Sequence, residues 1–394
     1  MNKWEKVKLG DVCDIKRGGS PRPIDKYITE DVNGINWIKI GDTSDDSMYI
    51  TKTKQKILPE GMKKSRYVQP GDFLLSNSMS FGKPYILKIG GCIHDGWLVL
   101  RDKDSYFHKE YLYYALSNKT TYEKFKSLAV GGVVNNLNST VVKQVEIPLP
   151  PLETQKQIAK TLDTVAELLA MRKQQLAELD NLIKSIFYDM FGDPVTNEKG
   201  WKILPLGEVC EITSSKRIFE SEYVYQGIPF YRTKEIVELS NGNPVTTELY
   251  ISSKRYEEIR NKFDIPHTDD ILISAVGTIG TTWVVPNEEP FYFKDGNLLW
   301  VKNSSSFNSI YLSFLLKILI KHYTSNLIVG SAYNALTIIK VKRMLSLLPP
   351  ISLQNKFAKI VTKIEEQKAL VQKAIDETQY LFDSLMSEYF DDVS

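Results

Sequence analysis

At 394 residues, 42% hydrophobic and 25% charged, the chain exceeds the roughly 250–300 residues at which one hydrophobic core stops growing, so two or more domains are expected and a disordered class is excluded. A formal net charge of +2 excludes a basic surface over the whole molecule and leaves only local ones: residues 1–150 carry 23 Lys and Arg against 17 Asp and Glu, 193–350 carry 17 against 17, and 351–394 carry 5 against 8. Cys13, Cys92 and Cys210 lack C-x-x-C spacing, which argues against a disulfide framework or zinc site, and the start MNKWEKVKLG has no apolar signal core, so a cytoplasmic protein without membrane contact is expected.

In chain order, the first segment, WEKVKLGDVCDI from Trp4, returns as WKILPLGEVCEI from Trp201. INWIKIGD from Ile35 returns as IPFYRTKE from Ile228, and GDFLLS from Gly71 as DDILIS from Asp269. YLYYAL from Tyr111 matches YLSFLL from Tyr311, and VGGVVNNL from Val130 matches VGSAYNAL from Val329. The offset stays between 193 and 200, the signature of an internal duplication whose frame is kept while the loops diverge. Short apolar runs entered through turn residues predict strands at Phe73–Ser76 and Ile271–Ser274, and Tyr111–Leu116 and Tyr311–Leu316 read as helices. Each half is therefore expected to be α+β.

Both copies then reach a double proline followed by a glutamine, PLPPLETQ ending at Gln155 and LLPPISLQ ending at Gln354. After it the apolar period changes. Ile158, Leu162, Val165, Leu169, Arg172, Leu176, Leu179, Ile183, Ile186 and Met190 follow heptad steps, and the second copy repeats them from Phe357 to Tyr389, with Lys368 and Thr378 as polar members. Prolines suit a helix entry and end a strand, and Ser352 is a candidate N-cap. Each copy thus predicts a helix of about 38 residues, roughly 55 Å at ~1.5 Å per residue. Pairing antiparallel, two such helices would place the globular domains at opposite ends, related by an approximate two-fold axis; the stripe could instead cover each domain's own core or join two copies of the chain. The expected boundaries are 1–150 and 193–350 for the globular domains, and 151–192 and 351–394 for the helices.

With this repeat, the Pro-Pro-x3-Gln junctions, the seam helices and ITSSKRIFESEYVYQGIPFYRTKEI from Ile212, the chain resembles a type I restriction-modification specificity subunit over essentially its whole length. The resemblance implies two target recognition domains separated by spacer helices, and a bipartite, asymmetric double-stranded DNA target. It also implies partnership with two modification and two restriction subunits. It places catalysis, with S-adenosylmethionine, ATP and magnesium, in those partners and gives this chain no cofactor of its own.

Arg and Lys bind guanine or phosphate, and Asn and Gln pair with adenine. Four groups of candidates follow. The first joins Lys16, Arg17 and Arg22 in KRGGSPRP with Ser214, Ser215, Lys216 and Arg217 in TSSKR. The second is Lys39, aligned with Arg232 near Lys234. The third is the Ser76-Asn77-Ser78 loop, and the fourth is Asn135 and Asn136 with Tyr333 and Asn334. On this reading Arg217→Ala or Arg232→Ala alters one half-site and leaves partner assembly intact. As an enzyme the sequence offers little: it has no phosphate loop, no H-E-x-x-H and no Asn/Asp-Pro-Pro-Tyr tetrad, while His94-Asp95 beside Ser76 and Ser78 lacks a triad's geometry on sequence grounds. A protein-binding scaffold is the remaining alternative.

Overall fold

The computed structural model describes residues 4–44, 47–77, 81–129, 137–325 and 335–391. It divides into two units, Met1–Gln174 with Gln372–Ser394, and Gln175–Val371. The boundary falls within the two long helices, Leu152–Phe191 and Ile351–Phe390, so each unit holds one globular domain and a part of both helices. Among the described residues no helix is long and apolar enough to cross a membrane.

The first unit contains two five-stranded sheets. One runs Cys13–Arg17, Trp97–Asp102, Phe73–Ser76, Pro84–Leu87, Tyr49–Ile50. Its neighbour runs Ile28–Thr29, Gln55–Ile57, Ile35–Ile38, Gly91–Ile93, Arg66–Val68. In the second unit the matching sheets have four strands each: Ile212–Thr213, Leu298–Val301, Ile271–Ser274, Thr282–Val284, and then Tyr223–Val224, Tyr250–Ile251, Ile228–Tyr231, Tyr292–Phe293. The duplication survives in pairing direction: Trp37 lies parallel to Cys92 in one copy and Phe230 parallel to Tyr292 in the other. The predicted strands at Phe73–Ser76 and Ile271–Ser274 are present and fully buried, and the predicted helices extend over Lys109–Ser117 and Ser309–Ser325.

Where the copies diverge, local structure changes type. The first unit has a short 3-10 segment, Pro59–Lys64, leading into the edge strand Arg66–Val68. The second has the helix Ser253–Lys262, capped by the Ser252 hydroxyl accepting from the Arg255 N–H.

The double prolines stand immediately before each long helix. Pro151 and Pro350 lack an N–H that a first helical turn would leave unpaired, and their carbonyls accept the first helical bonds, from Gln155 and Gln354 N–H. Ser352, expected as the cap, lies instead inside the first turn, because Pro350 already occupies the entry. The glutamine is a latch. Gln155, 1% exposed, accepts from the His108 N–H at 2.8 Å and donates to the Tyr106 and Pro150 carbonyls at 3.0 and 2.9 Å. Gln354, 0% exposed, accepts from the Asn308 N–H at 2.9 Å and donates to the Ser306 and Pro349 carbonyls at 3.2 and 2.9 Å. One side chain thus ties the long helix to the loop that starts the next-innermost helix, identically in both copies. Tyr111 and Tyr311 add a second tie, donating to the Pro148 and Leu347 carbonyls.

Within each unit the two helix portions run antiparallel. In the first, Ile158, Ala159 and Leu162 enter the core of the domain, and Phe382, Leu385, Met386, Tyr389 and Phe390 pack on the same core. In the second, Ile183, Phe187 and Phe191 meet Phe357, Val361 and Ile364 around Tyr311. The heptad stripe therefore serves both as a seam and as part of each core. Its polar members find polar partners: Arg172 donates to the Ala374 carbonyl and the Thr378 hydroxyl, and Lys368 pairs with Asp180 at 2.7 Å and Glu365 at 3.0 Å. Such pairs fix register, since a slipped helix would bury a charge against carbon.

Candidate nucleic-acid interface

In the first unit the turn His94-Asp95-Gly96, between strands Gly91–Ile93 and Trp97–Asp102, gathers the basic loop. Gly18 lies so close that a Cβ there would come within 2.2 Å of the His94 carbonyl oxygen, so only glycine allows this approach. Arg17 Nε donates to the Asp95 carbonyl at 2.9 Å, as does Asn77 Nδ2 at 2.9 Å. The Ser20 hydroxyl donates to Asp95 Oδ1 at 2.6 Å, and Arg22 lies 3.6 Å from Oδ2. The Ser20 bond above all holds the Asp95 carboxyl below the usual carboxylate range, with Arg22 adding to it. Lys39 Nζ donates to Gln55 Oε1 at 2.6 Å, and with Arg22, Asp95 and His94 it lines a cleft of about 280 Å³.

In the second unit the equivalent turn is Lys294-Asp295-Gly296. Gly296 takes φ +73°, and Arg217 Nε donates to Asp295 Oδ2 at 3.0 Å. The Lys216 N–H donates to the Tyr292 hydroxyl at 2.7 Å, and Lys216 Nζ sits 4.5 Å from the centre of the exposed Phe263 ring, a cation–π arrangement.

How each guanidinium is tied sorts the arginines. Arg17 and Arg217 are held through Nε, which leaves the two terminal nitrogens, the fork that matches guanine O6/N7 or a phosphate, turned away from the tie. Arg66, which the sequence reading missed, is held likewise, its Nε donating to the Arg17 carbonyl at 2.6 Å. Arg101 instead pairs with Asp72 through both Nε and a terminal nitrogen, which takes one arm of its fork. Arg232 likewise gives one arm to Glu235, NH2 to Oε1 at 2.8 Å, with Nε 3.4 Å from Oε2.

The remaining candidates fall into three classes. Lys16 is exposed and paired with Asp14 at 2.5 Å, and Lys234 faces Glu238 at 3.7 Å; exposed pairs of this kind are weak and leave both lysines available. Asn77, Ser214 and Ser215 turn inward: Asn77 is 1% exposed, the Ser214 hydroxyl donates to the Leu298 carbonyl, and Ser215 is buried. Asn77 and Ser214 thus spend a donor on the loops themselves, and Ser215 lies beneath the surface. Ser78, Asn135, Asn136, Tyr333 and Asn334 lie outside the described residues.

Among the described residues His94 forms no hydrolytic set. Its ring packs near Trp37 and Trp97, burial pushes its imidazole below the ordinary value, and the Ser76 hydroxyl is buried, accepting from the Lys83 N–H. Asp95 and Asp295 were legible in principle, because HDGWLVL and KDGNLLW recur 200 residues apart.

Several known proteins are similar to this chain. The family model described as the type I restriction modification DNA specificity domain matches residues 1–181 and 198–379, one match for each copy of the repeat. The MjaIX type I restriction enzyme specificity subunit of Methanocaldococcus jannaschii is 25% identical over 97% of this chain and 91% of its own length. A putative type I restriction enzyme specificity subunit of Haemophilus influenzae is 28% identical over 66% of this chain and 64% of its own. Among solved structures, a chain from a study of assembly and conformational transition of the type I system superposes with a TM-score of 0.65 at 18% identity, covering 99% of this chain and 98% of that one. The type I system S subunit of M. genitalium superposes with a TM-score of 0.57 at 17% identity, covering 100% and 98%; both share the fold. With the model matched twice over nearly the whole sequence, this chain belongs to the family of type I restriction-modification specificity subunits.

Proposed function

We propose that the chain binds double-stranded DNA sequence-specifically, each unit reading one half of a bipartite, asymmetric target, and that it directs modification and restriction subunits to that target while performing no catalysis itself. S-adenosylmethionine, ATP and magnesium belong, on this reading, to those partners. The observation that carries it is the recurrence in both units of an arginine held through Nε by the Asp-Gly turn, at Arg17 and Arg217. Phosphate contacts supply affinity and base-edge contacts selectivity, and a fork freed at the same place in two diverged copies suits the second task.

Mapping methylated bases across the source genome with and without this gene, neighbouring methyltransferase genes intact, is expected to remove one motif of two specific halves around a fixed gap. An unchanged map, in cells shown to express the partners, would overturn the reading. Arg217→Ala is expected to reduce discrimination in one half about tenfold, as loss of one bidentate base contact does, and Arg17→Ala to do so in the other. A uniform fall in methylation at every site would instead place these arginines on phosphates.

A further inference from the structure

We infer that Asp95 and Asp295 are positioning residues for half-site reading, each holding the basic loop of its own unit in a contact-ready pose before DNA arrives; the inference rests on the DNA-binding function proposed above. A carboxylate inside a DNA-contacting patch repels phosphate, so finding one at the matching turn of both copies calls for a reason. Geometry supplies it.

In the first unit Asp95 holds both ends of the basic segment: its backbone carbonyl receives Nε of Arg17 at the end of strand Cys13–Arg17, while its carboxylate receives the Ser20 hydroxyl on Oδ1 and faces Arg22 at 3.6 Å with Oδ2. In the second, Asp295 Oδ2 receives Arg217 Nε at 3.0 Å, with the aspartate side chain 16% exposed and the arginine 69% exposed. In the second unit the holding group is thus sunk in the protein and the held group stands in solvent, while in the first the Asp95 side chain is 44% exposed against 79% for Arg22. Ion pairs evolved for stability alone gain little from such an exposed partner. Fixing Nε costs none of the fork's hydrogen-bonding capacity and removes rotamer freedom that binding would otherwise have to freeze.

The test is the same genome methylation map, read at the wild-type motif and at sites one base away from it, in cells carrying the full-length chain with its partners. Asp295→Ala is expected to raise methylation at sites mismatched in one half about tenfold relative to the motif, the scale of one base contact, with mismatches in the other half still rejected. Asp95→Ala keeps the backbone carbonyl that holds Arg17 Nε but frees Ser20 and Arg22, and through that loosened loop should do the converse. Asp295→Asn, whose Oδ1 still accepts from Arg217 Nε, is expected to restore discrimination. Asp295→Glu keeps the charge but displaces the guanidinium by one methylene and should not restore it. Unchanged discrimination in Asp295→Ala and Asp95→Ala, or a general rise at sites mismatched in either half, would overturn the inference, the latter being what removal of a merely repelling charge produces. Arg17→Ala and Arg217→Ala separate the two failures. If those act and the aspartate variants do not, only the positioning role falls; if neither pair acts, the reading of these loops as DNA contacts falls with it. Unfolding midpoints of the purified variants report on fold, and Asp295→Glu carries the test should alanine prove destabilising.

Discussion

Gln155→Leu and Gln354→Leu are each expected to destabilise their own unit by about 3 kcal/mol or more, because the substitution leaves one backbone N–H and two carbonyls without partners, each worth ~1–3 kcal/mol when buried. Leucine matches glutamine in volume, so little packing is lost and the cost reports on the latch. The three groups freed by Gln155 are the His108 N–H and the Tyr106 and Pro150 carbonyls. They sit at the start of helix Lys109–Ser117 and at the entry of Leu152–Phe191, so both elements should loosen together. Hydrogen exchange is the direct reading: Gln155→Leu should speed exchange in Lys109–Ser117 and leave Ser309–Ser325 protected, and Gln354→Leu should do the reverse. A melting midpoint and exchange pattern like the wild type's would show that water replaces the side chain and that the latch is incidental. Gln155→Glu is expected to be the more damaging change at neutral pH, since a carboxylate would face the Tyr106 and Pro150 carbonyls where the amide now donates.

The double-proline motif shows what a sequence does and does not disclose. Its place at a helix entry follows from proline chemistry, and the repeat makes it stand out. The task of the glutamine does not follow, since its three partners come from a loop 47 to 49 residues away as well as from the motif itself. The same division holds for the binding loops. Clusters of Lys and Arg in diverged segments suggest where a polyanion would be met; Arg22, Lys216 and Arg217 lie on loops, whereas Lys16 and Arg17, read as loop residues, end the strand Cys13–Arg17 because they pair with Val99 and Leu98. Which guanidiniums keep their forks depends on contacts formed across the sheet, with Asp95 for Arg17 and Asp295 for Arg217. Composition does not tell where a side chain points: Asn77 has the chemistry to pair with adenine, and in the fold it is buried and donates to the Asp95 carbonyl. Heptad spacing foretold the long helices, but it left open whether their stripes would pair antiparallel or cover each domain's own core, and within each unit they do both, with Phe187, Phe191 and Phe357 closing a core around Tyr311, because periodicity does not say which neighbour a stripe will cover.

Arg232→Ala is expected to act on stability before it acts on recognition. Glu235 is 0% exposed on the first turn of helix Thr233–Ser240, and it accepts the Arg232 N–H at 2.8 Å and the guanidinium NH2 at 2.8 Å. Burial alone would raise its carboxyl, but these bonds from Arg232 outweigh it and leave the group below its ordinary value. A fully buried pair that loses one member costs ~3–5 kcal/mol and an exposed one under ~1. Here the arginine side chain is 38% exposed and the backbone bond survives, so about 2 kcal/mol is expected. The pH dependence fixes the cause. In the wild type a lowered folded-state value means the pair stabilises above the ordinary glutamate range and is lost as pH falls through that lowered value. In Arg232→Ala burial dominates, the folded-state value rises above the unfolded one, and the buried charge is relieved by protonation as pH falls. The difference in unfolding free energy between the two proteins should therefore be largest near neutral pH and shrink toward pH 4, and Glu235→Gln in the alanine background should recover part of it. A difference independent of pH would assign the loss to packing of the arginine stem. Normal stability with altered half-site discrimination would return Arg232 to the base-reading role that its alignment with Lys39 suggests.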